Sequence, residues 1–242
     1  RHWARLLHLD VARFWIDEYH VDGFRIDEFK GIDNWEFVQQ FRDAAWEHFR
    51  SRFPDRPFLV IAEDSWARSV TTRDSPGNPG GRRVVDAVWD FTYRWDVRHL
   101  LLGVPLAQWG QPPLRQHIAT VVSGRQRGSD GQRQPDGFDD LVRSVGYVTS
   151  HDVEHEHEQR FVNHVVMTQL RQDGRLGAGF PAQRQFELVQ EVDATLRGDP
   201  GRPDGMAGPW SATIGLSVDA ARALARLALD RVRSAHAVLL TS

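Results

Sequence analysis

The sequence predicts an α/β protein built on a parallel sheet or barrel, and three observations support this class. Strand-like and helix-like segments alternate along the chain, as they do in βαβ units. The run PFLVIAED at 57–64 is apolar almost throughout, which is typical of a parallel strand covered on both faces. Acidic residues end several strand candidates, and in such folds the chemistry collects at the carboxyl ends of the strands.

The elements of the first half follow from periodicity and cap signals. Apolar residues recur at helical spacing over 2–19, and a strand is predicted over 21–27. The motif DNWE resembles a capping box in which Asp33 is the N-cap. We therefore expect a helix from there through about Phe49, before the apolar strand.

The second half continues the alternation. A third strand candidate covers 84–91 and a fourth covers 144–152, each followed by a helical pattern. A helix over 217–236 is predicted to begin at Ser217, and the run at 237–242 is a fifth strand candidate. Two segments break the rhythm and are predicted to be irregular, either surface insertions or loops that cover a site: 103–140 and 171–210.

Composition limits the function classes before any motif is considered. The 242 residues suffice for one domain or a piece of a larger α/β domain. A formal net charge of −3 argues against nucleic acid or an anionic membrane as a partner. The absence of cysteine excludes disulfides and thiolate chemistry, and no apolar run reaches the roughly 18 residues of a transmembrane helix.

The two ends of the chain favour a fragment. The start, RHWARLLHLD, has neither a methionine nor the charged and apolar regions of a signal peptide, and the chain stops on HAVLLTS. We expect such a piece, expressed alone, to be poorly soluble and inactive. Its localisation is left open with a slight preference for the cytoplasm, and its oligomeric state is not predicted.

The stretch HVDGFRIDEFK contains an unusual strand. Successive side chains of a strand face opposite ways, so Phe24 and Ile26 share one face while Arg25 and Asp27 share the other. Charges on an inward face are costly unless they are paired or do chemistry. The pattern therefore indicates a functional face. Glu63 and Asp152 end two further strand candidates in the same way.

These motifs resemble the α-amylase family of glycoside hydrolases and transglycosylases. DGFRIDEFK is similar to that family's fourth-strand motif, VIAED to its fifth-strand motif and YVTSHD to its seventh-strand motif, all in the family's order. The resemblance implies that residues 1–242 form one partial catalytic domain, the C-terminal portion of a TIM (β/α)8 barrel from strand four to the start of strand eight.

The resemblance also implies a role for each matching residue. Asp27 is the expected nucleophile, and Glu63 the proton donor and then the base. Asp152 and His151 are expected to bind sugar hydroxyls. Arg25 is expected to keep Asp27 ionised, and Lys30 to line the leaving-group side of the cleft. Acetal cleavage independently requires one ionised and one protonated carboxyl group, and a retaining mechanism predicts a separation of roughly 5 Å between them.

Two further predictions concern binding. Trp66, three residues after Glu63, is the best candidate for stacking on a sugar ring. His151 and His155 stand four apart and could hold a metal, but further ligands are missing, so no metal is assigned. No cofactor is predicted. The family's usual calcium ligands, which a complete enzyme could use, belong to strands upstream of Arg1.

The expected function is a retaining hydrolase or glucanotransferase whose partner is an α-linked oligo- or polysaccharide. Hydrolysis and transfer stay open, because branching and trehalose-releasing relatives share AED-like and SHD-like motifs. The alternative is a non-catalytic barrel relative that serves as a carbohydrate-binding or scaffold module. Such relatives lose the nucleophile or the acid, whereas both Asp27 and Glu63 are present here.

Overall fold

The computed structural model describes residues 2–102, 118, 141–150, 160–177, 179–198 and 214–241. They divide into two compact units. The first unit contains the described residues up to Tyr93, Ile118, and those from 141 to Tyr147; the second contains Arg94–Leu102 and the described residues from Val148 to Thr241.

The first unit is built on four parallel strands whose order in the sheet follows the chain. They are Gly23–Ile26 (β1), Leu59–Ala62 (β2), Ala87–Asp90 (β3) and Ser144–Gly146 (β4). All four lie inside the predicted strand candidates, and the α/β class with a parallel sheet is confirmed. A closed barrel stays a prediction, because a sheet of four strands does not establish one.

Three helices pack beside this sheet: His2–Tyr19 (α1), Phe29–Ile32 (α2) and Trp35–Arg52 (α3). Alternate strand residues face them and form the core face of the sheet, which consists of Phe24, Ile26, Val60, Ala62 and Val88. This face joins one core cluster with Ile16 of α1 and with Val38 and Phe49 of α3. Each large side chain buried there stabilises the unit by about 1.5–3 kcal/mol.

The predicted capping box is wrong by one residue. Asn34 is the N-cap of α3, and its side-chain oxygen accepts a hydrogen bond from the Phe37 N–H at 3.2 Å. Asp33 instead closes α2, with a left-handed φ of 40° and its N–H donating to the Phe29 carbonyl. Asp33 cannot do both, because an N-cap residue normally has extended backbone geometry.

The second unit is helical. It contains Phe161–Gln172 (α5), Ala182–Gly198 (α6) and Val218–Thr241 (α7), while Phe91–Leu102 (α4) spans the boundary between the units. α5 packs against both α6 and α7.

The described residues of the first unit also form three single turns of the 3-10 type: Ser69–Thr72, Pro79–Gly81 and Leu141–Arg143.

Two predictions in this unit are corrected. The segment 171–210 is not irregular throughout, since α6 occupies 182–198 and buries Leu188 and Val192 at helical spacing. The fifth strand candidate at 237–242 is wrong, because α7 continues through Thr241. A short apolar run fits either structure, and no glycine or proline stops this helix.

Other predictions are confirmed or lie outside the described residues. Ser217 caps α7 as expected, with its hydroxyl accepting from the Ala220 N–H at 3.2 Å. The predicted irregular segment 103–140 lies outside the described residues, apart from Ile118. None of the helices in the described ranges is both long enough and apolar enough to cross a membrane.

Candidate active site

Strand register places Arg25 on the face of the sheet opposite the core face. Arg25 pairs with Ile61, and Ile61 with Ala87. Because side chains alternate along a strand, the residues two positions further on point the same way. The site face therefore carries Arg25 of β1 and Trp89 of β3, together with Asp27 and Glu63, which are the first residues after β1 and β2.

Arg25 joins the two predicted catalytic carboxylates. Its Nη2 lies 2.8 Å from Asp27 Oδ1 and 2.7 Å from Glu63 Oε2. Since one nitrogen touches both oxygens, those oxygens are separated by no more than the sum of the two distances, about 5.5 Å. That upper limit is compatible with the separation of about 5–5.5 Å between carboxyl groups that is typical of retaining glycosidases.

This arrangement differs from the predicted division of labour, in which Arg25 served Asp27 alone. A guanidinium only donates hydrogen bonds, and one guanidinium can donate to more than one carboxylate. Here both carboxylates are paired with it. They differ in burial, since the Glu63 side chain is 14% exposed and the Asp27 side chain 74% exposed.

Backbone hydrogen bonds hold Glu63 against the end of β1. Its N–H donates to the Ile26 carbonyl at 2.9 Å, and its carbonyl accepts from the Phe29 N–H at 3.0 Å. Its Oε2 also accepts from the Glu28 N–H at 3.1 Å. Glu28 can aim that N–H because its backbone is left-handed, with φ 43° and ψ 48°. No hydrogen bond to Oε1 is found among the described residues.

Trp89 is a site-face residue that the sequence analysis did not select. The Arg25 guanidinium carbon lies 4.5 Å from the centroid of its ring. The available signal was its position near the carboxyl end of the third strand candidate, with the same alternation that placed Arg25. A tryptophan within a buried strand is, however, more often a core residue.

Lys30 and Trp66 are brought together by the structure, as a pair in which the Lys30 Nζ lies 4.8 Å from the ring centroid. Trp66 is 49% exposed, so part of its ring is accessible. Arg68 contacts the same ring at 5.0 Å and binds Asp64, which is fully buried, through Nε at 2.7 Å and Nη2 at 3.2 Å. Trp66 thus combines a half-exposed ring with contacts to two cationic side chains.

The remaining predicted site residues, His151 and Asp152, lie outside the described residues, as does His155 of the metal interpretation. Their roles stay predictions. In the ranges that the structure describes, no group of three or more histidine, aspartate or glutamate side chains is arranged to hold a metal ion.

Comparison with known proteins gives a distant and partial similarity. No family model matches the chain. Over 99 residues the chain is 29% identical to the 1,4-alpha-glucan branching enzyme GlgB of Bacillus cytotoxicus. The alignment covers 36% of this chain and only 13% of that enzyme's length. The similarity links the chain to a glucan-processing enzyme without extending to most of that enzyme.

Proposed function

We propose that this chain carries the two catalytic carboxylates of a retaining enzyme of the α-amylase family, acting on α-linked glucans. The observation that supports this most is the pair Asp27 and Glu63, on neighbouring parallel strands, with two oxygens held by one Arg25 nitrogen and no more than about 5.5 Å apart. The partial similarity to a glucan branching enzyme supports the same substrate class.

In the first step the Asp27 carboxylate attacks the anomeric carbon of a glucosyl unit. The bond from that carbon to the glycosidic oxygen breaks, and Glu63 gives its proton to the departing oxygen. In the second step the Glu63 carboxylate takes a proton from an acceptor hydroxyl. The acceptor oxygen attacks the anomeric carbon, the bond to Asp27 breaks, and the original configuration is restored.

The first step requires a protonated Glu63, so the ion pair between Arg25 and Glu63 has to open when substrate binds. Arg25 can stay on Asp27, which must be ionised to attack. Within the described residues Oε1 of Glu63 makes no hydrogen bond, and we assign it the proton that goes to the leaving group. With the glycosidic oxygen at Oε1 and the Arg25–Glu63 ion pair open, Glu63 can act as the acid while Asp27, still paired with Arg25, acts as the nucleophile.

Transfer to a second glucan is the outcome that we favour over hydrolysis, because the similar protein is a branching enzyme. Asp152 and His151 are assigned to sugar hydroxyls and Lys30 to the leaving-group side, as the family resemblance implies, and Trp66 beside Lys30 is assigned to stack on a sugar ring. The exposed ring of Trp66 beside Lys30 supports that assignment.

The test is to incubate the purified full-length protein with amylose and to follow the products by proton NMR. New branch points indicate transfer, new reducing ends indicate hydrolysis, and the anomeric configuration of the first product reports retention. A fluorinated glucosyl fluoride should leave a covalent sugar on the peptide that contains Asp27, detected by mass spectrometry. Glucan binding with neither product nor label would instead identify a binding module.

A further inference from the structure

We propose that Trp89 is a positioning residue for this reaction: its indole holds the Arg25 guanidinium beside the nucleophile Asp27, in a position from which it also contacts Glu63 until substrate binds. The inference rests on the proposed function, and it adds a residue from a third strand to the site. Trp89 acts through Arg25, so it is not itself assigned a contact with substrate.

The sheet explains why this contact needs a large side chain. Arg25 is on β1 and Trp89 is on β3, with β2 between them, so their backbones are separated by about two strand spacings of 4.7–4.9 Å each. Only long side chains on the same face can meet across that distance. The guanidinium carbon of Arg25 reaches 4.5 Å from the indole centroid, inside the range of about 6 Å for a cation–π contact.

The two kinds of contact use different parts of the guanidinium. Its N–H groups lie in the plane and point outward to the carboxylates, whereas its flat face is the part that meets an aromatic ring. Arg25 can therefore keep Asp27 and Glu63 on its edge while it stacks on Trp89. A single nitrogen, Nη2, makes both ion pairs. A small rotation of the guanidinium would therefore change its distances to both carboxylates at once.

Arg25 needs such a support. Its side chain is 31% exposed and has several rotatable bonds, so an unsupported guanidinium would have alternative positions in solvent. A partly exposed cation–π contact shifts such an equilibrium by about two- to thirtyfold. That size is enough to decide which guanidinium position is the most populated.

Trp89 is itself held on two sides. Its ring lies 5.1 Å from the ring of Tyr147 and 6.2 Å from that of Phe91. The backbone beside it is fixed by Asp90, which is 1% exposed and accepts hydrogen bonds from the Tyr93 N–H and the Ser144 hydroxyl, both at 2.9 Å. A supported ring can position a flexible cation, since the ring loses little freedom in doing so.

The test is a double-mutant cycle on glucan turnover with Trp89→Leu, Arg25→Lys and the double variant. Trp89→Leu should lower kcat about tenfold and change KM by less than about twofold, and Trp89→Phe should restore most of the rate because it restores an aromatic face. In the Arg25→Lys background, Trp89→Leu should cost little more. Trp3→Leu is the matched control, since Trp3 is 80% exposed on α1, and it should leave kcat unchanged.

A second measurement does not depend on activity. In the nitrogen–proton NMR spectrum, the Arg25 guanidinium signal, assigned by its loss in Arg25→Lys, should be shifted by the indole ring current and should return to the range of solvent-exposed arginines in Trp89→Leu. An unshifted signal, or losses of kcat that simply multiply in the double variant, would overturn the inference. Full-length wild-type protein with no turnover of any glucan would instead remove the proposed function, and the positioning role of Trp89 with it.

Discussion

The same four strands of the first unit present two different faces, one that packs the core and one that carries charged side chains. The core face packs apolar side chains against α1 and α3, and Val60, Ala62 and Val88 are fully buried there. The site face gathers Arg25 and two carboxylates at the strand ends. Because neighbouring positions in one strand belong to different faces, adjacent substitutions should have separate effects, on stability or on chemistry.

Each side of the sheet contains an arginine paired with a carboxylate, and the two arrangements differ in burial. Behind the core face, Asp86 Oδ1 accepts from Arg42 Nε at 2.9 Å and Oδ2 accepts from the Val60 N–H at 2.8 Å, with both side chains less than a tenth exposed. The Arg42 contact links α3 to Asp86, just before β3, and the Val60 contact links Asp86 to β2. On the site face the two carboxylates share one guanidinium nitrogen, and the Asp27 side chain is 74% exposed.

The largest expected effect comes from the site face. In the complete enzyme, Asp27→Asn should lower glucan turnover by about a thousandfold or more while leaving unfolding nearly unchanged, because it removes the proposed nucleophile and little volume. Steady-state rates and urea unfolding of the same preparation check both parts. Glu63→Gln is the companion variant: substrates with good leaving groups should still glycosylate Asp27, because they need no proton donor. Full turnover by Asp27→Asn would end its assignment as nucleophile.

The next effect comes from the pair behind the core face. Asp86→Ala should lower the free energy of unfolding by about 3 kcal/mol, because it leaves Arg42 buried without its main partner and removes the acceptor for the Val60 N–H. Turnover of the protein that remains folded should change little.

Asp43→Ala is the control for this prediction. Asp43 contacts the same Arg42 at 2.8 Å but is 32% exposed, so its loss should cost less than about 1 kcal/mol. Urea unfolding of the two variants measures the difference. Equal losses for Asp86→Ala and Asp43→Ala would show that the buried pair does not carry the stability assigned to it.

The sequence was sufficient for the features that depend on neighbouring residues. Alternation in HVDGFRIDEFK separated Phe24 and Ile26 from Arg25 and Asp27, and the apolar run before Glu63 located the second strand. Local cap chemistry also placed the start of α7 at Ser217. These signals are local, and the alternation of side chains along a strand assigns each residue to one face of the sheet.

The features that the sequence missed depend on pairing between distant segments or on ambiguous local patterns. Trp89 meets Arg25 across β2 only in the register that the sheet adopts, and nothing near either residue specifies that register. Asp33 and Asn34 are both good N-cap residues, and the backbone geometry of α2 decides between them. The apolar run at 237–241 was equally compatible with a strand and with the end of α7.

The smallest expected effect lies at the turn that brings the site-face carboxylates together. Glu28 has a left-handed backbone, with φ 43°, and its N–H donates to Glu63 Oε2. Glycine adopts this geometry freely, whereas a β-branched residue adopts it with difficulty. We therefore expect Glu28→Gly to change the free energy of unfolding by less than about 0.5 kcal/mol, because relief of the left-handed strain offsets the added flexibility.

Glu28→Val should cost about 1–2 kcal/mol and should also lower turnover severalfold, since a backbone that leaves the left-handed region turns the N–H away from Glu63. Both variants keep that N–H and lose the carboxylate, so the difference between them isolates the backbone conformation. Urea unfolding and steady-state turnover of the pair give the result. Identical behaviour of the valine and glycine variants would mean that the left-handed turn neither strains the chain nor positions Glu63, and that the site face is assembled by the strands and Arg25 alone.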